Sequence, residues 1–328
     1  MIQNQNIYNN QKKQRIAYFD VARSFCMFWI IFIWHLFDYL REIPSVPQGL
    51  ESLTIASLAT FVFISGYFMG RKRDVDALTF YKFRLRRFYF LYAISCVTLW
   101  IVSQLGTLCF INDKQLILSL LGISCLIPPP PYTLWFYSMI ICFYVVTPVF
   151  TSLKINKKIK ICVFIIIYLV LFLSKEYLYM DNRILLYFPV YILGLFVKDF
   201  NEDFYRNYHW MLLYCLSFFL GFCLYIKYRK NYLVNSIIAF GAPFFILLVS
   251  YFISQKMLFL NEIFHKIGYA SMCMYLFHRQ FFYFMERIQN YLNLIFTYIV
   301  LILSLFVFSY SIQYLYDYVV KRITSRKV

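Results

Sequence analysis

The chain reads as an all-α integral membrane protein, and three observations carry that reading. Hydrophobic residues make up 62% of its 328 residues and charged residues 14%, against roughly 45–50% and 25% in soluble chains. Mean hydropathy is +0.64. The apolar residues also fall in continuous runs near the roughly 20 residues that a bilayer span needs, without the alternation of a membrane barrel. One bundle of about ten transmembrane helices is expected, with an extra short interfacial or re-entrant helix.

The apolar runs place spans near residues 16–40, 51–70, 88–106, 132–153, 159–174, 184–198, 209–226, 233–254, 267–285 and 292–317. An eleventh run, Leu116 to Ile127, is too short to cross comfortably and stops at Pro128-Pro129-Pro130-Pro131. Short basic loops mark the cytoplasmic side. They are Arg71-Lys72-Arg73 through Arg84-Arg86-Arg87, then Lys154, Lys157, Lys158 and Lys160. Both fall inside only if residues 88–106 exit, 132–153 return and 116–127 stays on the outer side. The count then puts both termini in the cytoplasm, with Lys227-Tyr228-Arg229-Lys230 as one basic loop outside. The expected organisation is a tail over 1–15, a single membrane domain over 16–317 and a basic tail over 318–328. A bacterial cytoplasmic membrane is the expected location.

The net charge of +17 would suit nucleic acid, but the excess lies in short loops that set orientation, so no nucleic-acid partner is expected. Lys12, Lys13 and Arg15 precede an apolar stretch too long for a cleaved signal and without a small-residue cleavage site. The nine cysteines lie in apolar segments without CxxC pairing and read as small buried hydrophobes. No His-Glu-x-x-His motif suggests a metal, and no glycine-rich phosphate loop suggests an NTP-driven step.

Chemistry points to the first span. It holds Asp20-Val21-Ala22-Arg23 at its start and Trp34-His35-Leu36-Phe37-Asp38 at its end. An Arg or Asp at a helix centre costs roughly 2.5–3.5 kcal/mol on insertion scales, so such groups face a bundle interior or a water-filled cavity. Residues eleven apart return to within about 20° of one helix face, whereas twelve apart differ by about 120°. Arg23 and His35 are twelve apart, and one inserted residue forming a π-bulge would realign them. Asp38 can approach the His35 imidazole; a carboxylate on one ring nitrogen leaves the other as a base. By these residues alone, an enzyme base and the proton relay of a transporter or flippase (Arg23, His35, Asp38) both stay open. A scaffolding subunit of a polysaccharide export complex is a third reading.

The ordered motifs resemble the membrane acyltransferase-3 family. Asp20-x-x-Arg23 with the terminal His35 is similar to that family's opening helix. Phe61-Val62-Phe63-Ile64-Ser65-Gly66 is similar to its phenylalanine-rich run, and Arg84-x-x-Arg87 to its cytoplasmic arginine pair. Leu134-Trp135-Phe136 with Tyr144 and Pro148, Phe188-Pro189 with Gly194, and Ile267-Gly268 through Tyr275-Leu276-Phe277-His278 follow in family order. Two departures stand out: the family usually has ten residues between its arginine and histidine, and here there are eleven. A proline commonly follows the arginine pair by three, where Phe90 stands. The extracellular esterase-like domain of larger members is expected to be missing.

The resemblance implies an O-acyltransferase, most simply an O-acetyltransferase, acting on a hydroxyl of a surface polysaccharide or lipid-linked glycan of the cell envelope. Its donor would be cytoplasmic acyl-CoA, simplest as acetyl-CoA, with no metal. His35 would be general base or acyl relay, while Arg23 would stabilise the oxyanion or position the thioester. Arg71, Arg84, Arg86 and Arg87 would meet the donor phosphates. Ser65 and Gly66 would line the acyl channel, although close packing explains a small pair as well. Trp135, Tyr275 and His278 would line the acceptor site.

Overall fold

The computed structural model describes residues 17–35, 51–71, 76–105, 111–197, 208–228, 231–288 and 293–325. Among these residues twelve α-helices run in order: α1 Ala17–Phe28, α2 Glu51–Gly70, α3 Ala77–Arg84, α4 Phe90–Leu105, α5 Asp113–Leu120 and α6 Leu134–Thr151, then α7 Lys157–Leu178, α8 Asn182–Phe196, α9 Tyr208–Lys227, α10 Tyr232–Lys256, α11 Asn261–Ile288 and α12 Leu294–Ser325. No strand occurs among the described residues. Two π-helical stretches continue the helices. Trp29–His35 extends α1, and Leu85–Tyr89 joins α3 to α4.

Each expected span coincides with a helix, yet among the described residues six are long and apolar enough to cross a membrane. Those six are Ala17–His35, Glu51–Gly70, Ala77–Leu105, Leu134–Thr151, Tyr232–Lys256 and Phe296–Arg322. Asn182–Phe196 and Leu212–Lys227 are apolar but shorter. Length and composition therefore support six crossings where the apolar runs suggest ten.

The short run expected at 116–127 is helical only over α5. Asn112 and Gln115 close a capping box at its start, where the two side chains satisfy orphan backbone donors reciprocally. The Trp100 indole donates to Asp113 at 2.7 Å, and the Tyr92 hydroxyl donates to the Ser119 carbonyl at 3.0 Å. These bonds tie the start of α5 to a late residue of α4 and its end to an early one. The segment thus folds back along α4. Gly122, at φ 73°, turns the chain, and Ser124 meets Ser138 of α6 at 2.7 Å.

Helices α2 and α8 pack at backbone contact. A Cβ added to Gly66 would stand 2.3 Å from the Tyr191 carbonyl oxygen, and one added to Gly194 would stand 2.4 Å from that of Phe63. Only glycine permits this approach, the device small residues provide between membrane helices. Around it Phe63, Tyr67, Phe188 and Tyr191 are almost fully buried and belong to the main core.

Candidate functional site

A cavity of about 700 Å³ opens between α1, α2, α6, α11, α12 and the Arg84–Phe88 segment. Its two ends differ in chemistry. Arg23, Arg71, Arg84 and Arg87 line it together with Asp20 and Asp317, and Phe136, Ile140, Met27 and Tyr275 give it an apolar end.

Three of the arginines stand near aromatic rings, Arg71 lying 5.8 Å from the Tyr67 centroid. Arg23 lies 5.0 Å over the Phe68 ring. Arg84 is 9% exposed and stands 5.8, 5.6 and 5.7 Å from the centroids of Phe80, Phe83 and Tyr144. Its Nε has no hydrogen-bond partner in the structure. Aromatic faces attract a guanidinium without consuming its donors, which leaves this buried Nε unused by them. Ser65 joins the same wall, its hydroxyl 3.0 Å from that of Tyr144. Gly66 lies instead in the α2–α8 contact. Asp20 is 3.1 Å from His265 Nδ1, and Gly268 lets α11 reach that point, where a Cβ would meet the Asp20 Cα at 3.2 Å.

Beyond the apolar end stands a pair of histidines. His35 Nδ1 and His278 Nε2 are 2.8 Å apart, with rings parallel to within 1°. His278 Nδ1 lies 2.7 Å from the Tyr275 carbonyl. That carbonyl can only accept, so the proton of His278 sits on Nδ1 and its Nε2 is the acceptor. His35 must then donate from Nδ1, which leaves the His35 Nε2 lone pair as the base of the pair. The Tyr275 ring joins pair and cavity: it lines the cavity and its centroid is 6.4 Å from that of His35. Its hydroxyl donates to the Thr133 carbonyl at 3.4 Å.

The π-helix explains how His35 arrives there. Its i→i+5 bonding winds less per residue than an α-helix, which offsets the extra residue after Arg23. Trp29 anchors the stretch by donating to Thr54 at 3.1 Å, and the Tyr298 hydroxyl donates to the Phe32 carbonyl at 2.9 Å. Even so, Arg23 and His35 are twelve residues apart, Arg23 in the α-helix and His35 at the end of the π-helix. The structure gathers Arg23 with the arginine cluster and not beside His35. Asp38 lies outside the described residues; among those described, His35 pairs with His278.

Trp135 is 7% exposed and carries the Arg183 guanidinium 3.6 Å above its ring. Asp181 caps α8 and takes a bidentate contact from Arg183. One face of the indole is therefore covered by a cation.

Sequence reading gave no role to Tyr144, His265, Arg279, Gln313 or Asp317. Arg279 is 6% exposed, beside His278, with its guanidinium 5.6 Å from the Tyr132 ring. The signal for Arg279 and Asp317 was present, since each is an ionisable residue in a long apolar helix. Tyr144 and Gln313 had no such signal.

A bundle of apolar helices around an arginine-lined cavity, with a histidine pair packed near Tyr275 of its wall, defines a helical membrane protein with a polar internal site. The family model described as Acyltransferase domain matches residues 16–315. The chain belongs to that family, the acyltransferase-3 family, and is a membrane acyltransferase. No curated protein and no solved structure matches the chain.

Proposed function

We propose that the protein is an O-acyltransferase, simplest as an O-acetyltransferase. It would move an acyl group from cytoplasmic acyl-CoA to a hydroxyl of a surface polysaccharide or lipid-linked glycan. The observation that carries this reading is the His35–His278 pair next to Tyr275, at the far end of a cavity whose other end is lined by arginines.

Arg71, Arg84 and Arg87 bind the donor phosphates, for which arginine offers bidentate contacts. Arg23 serves the donor as well, because it lies among the arginines that line the cavity. The pantetheine arm runs past Ser65 and Tyr144 toward Tyr275. At that end His35 Nε2 takes the proton of the acceptor hydroxyl as its oxygen attacks the thioester carbonyl. The tetrahedral intermediate collapses, the C–S bond breaks, and the departing sulfur takes the proton back from His35. His278 steadies the imidazolium through its Nε2 lone pair, backed by the Tyr275 carbonyl. Trp135 and its Arg183 partner flank the route by which the acceptor reaches Tyr275.

The test is mass spectrometry of surface glycan from cells carrying wild-type protein, His35→Ala or no gene. An alkali-labile acyl increment on wild-type glycan alone, at equal protein levels, is the expected result. Unchanged glycan structure with a lowered surface amount would replace the enzyme reading by a transporter.

A further inference from the structure

Two carboxylates line a cavity that also gathers four arginines. Asp20 has His265 at 3.1 Å. Asp317 is different, because its described hydrogen bonds come from uncharged donors: the Tyr269 hydroxyl at 2.6 Å and the Gln313 amide at 3.2 Å. The Cys273 thiol donates to Gln313 Oε1 at 3.3 Å. That contact fixes the amide with its nitrogen toward Asp317. A carboxylate is an acceptor with about four lone-pair sites, and two of them are used here. Such a group repels phosphate and suits a ligand's N–H or O–H.

Its position says which part of a ligand it meets. The preceding residue, Tyr316, donates to the Arg86 carbonyl and stacks on Phe90. Asp317 therefore lies level with the Arg84–Arg87 segment, at the arginine end and away from His35. A coenzyme A thioester carries its acyl group and its nucleoside at opposite ends of the pantetheine arm. With the thioester at Tyr275, the nucleoside remains at the arginine end, where adenine N–H and ribose O–H are the donors it offers. Dinucleotide sites use a carboxylate on ribose hydroxyls in the same way.

We propose that Asp317, oriented by Tyr269 and Gln313, is the nucleoside subsite of the donor cavity and makes the enzyme select coenzyme A thioesters over shorter pantetheine donors. The proposal rests on acyl-CoA being the donor. It assigns the α11–α12 wall a role distinct from that of the arginines.

The experiment compares acetyl-CoA with S-acetyl-4′-phosphopantetheine, which lacks the nucleoside together with two of the three phosphates, by calorimetry on purified full-length protein in lipid nanodiscs. Wild-type protein is expected to bind acetyl-CoA at least tenfold more tightly, as loss of a hydrogen bond to a charged group implies. Asp317→Asn should lower that ratio about tenfold, leaving the part that the phosphates contribute through the arginines, and Tyr269→Phe, which keeps the ring but frees the carboxylate, should lower it in the same direction. Asp317→Asn lowering both affinities equally, or neither, overturns the subsite while acyl-CoA stands as donor. Failure of wild-type protein to bind acetyl-CoA overturns the donor assignment and the subsite with it. Should Asp317→Asn misfold, the Tyr269→Phe ratio decides.

Discussion

His35 and His278, 243 residues apart in sequence, meet through a 2.8 Å contact between Nδ1 of the first and Nε2 of the second. The direction of the proton between them follows from a backbone atom. The Tyr275 carbonyl, 2.7 Å from His278 Nδ1, claims a proton there and so assigns the remaining nitrogens one by one. The tautomer of His35 is thus set by a partner on another helix, and the pair forms only when α1 and α11 are assembled.

His35→Ala should lower acyl transfer by about 10²–10⁴-fold, the usual worth of a general base. His278→Ala should lower it by on the order of 10²-fold, because His35 then loses the acceptor that fixes its tautomer. A pH–rate profile separates positioning from scaffolding. His278→Gln should shift the limb assigned to His35 while protein yield and melting stay near wild type. An unshifted profile would give His278 a packing role only.

Arg84→Ala should raise the KM for acyl-CoA by about tenfold to a hundredfold with a smaller change in kcat, as expected for a lost charge-assisted contact. Arg84→Lys should not restore it, since an ammonium lacks the planar fork and its fit among Phe80, Phe83 and Tyr144. Steady-state kinetics at two salt concentrations checks both statements, the wild-type KM rising more steeply with salt than that of Arg84→Ala.

Gly66→Ala should destabilise the bundle by roughly 1–3 kcal/mol, the cost of overpacking a filled contact. Its new Cβ would stand 2.3 Å from the Tyr191 carbonyl oxygen, a backbone atom that cannot swing away. Ser65→Ala, next in sequence but on the cavity wall, should leave melting nearly unchanged. Thermal unfolding in detergent compares the two, and equal losses would contradict the assignment of these neighbours to different surfaces.

Most helices were legible because a bilayer imposes one simple rule, continuous apolar length, and α1, α2, α6 and α10 obey it. The number of crossings was less legible. Asn182–Phe196 is apolar but only 15 residues long, so length and apolarity point in different directions there. The π-helix was legible only as one option, since a twelve-residue interval turns Arg23 and His35 about 120° apart on an α-helix, which a bulge would realign and a surrounding bundle would also accommodate. The partner of His35 was not, because nothing local to His35 encodes a residue on α11. Gly66 and Ser65 show the same limit on a small scale. Adjacent residues of a helix point to different neighbours, and only packing decides that one meets α8 and the other Tyr144. Asp317 lies in the last long apolar helix, and its meaning emerges only when α12 closes the cavity.

The π-helix itself makes the sharpest prediction. Residues 29–35 follow an ordinary α-helix, and a single extra residue is the common origin of such a stretch. Deleting Ile33, which is only partly buried, should let the segment return to α-helical winding. The histidine would then follow Arg23 by eleven residues, within about 20° of the same face. The imidazole should still reach His278, and transfer activity should stay within a few-fold of wild type. Inserting an alanine at the same point adds a residue that the stretch has no further turn to absorb, and should cost activity as severely as His35→Ala. Glycan acylation in cells, normalised to membrane protein level, measures both. If the deletion abolishes transfer in a normally folded protein, the π-helix has a purpose of its own beyond absorbing the extra residue, and the Phe32 carbonyl held by Tyr298 is where to look for it.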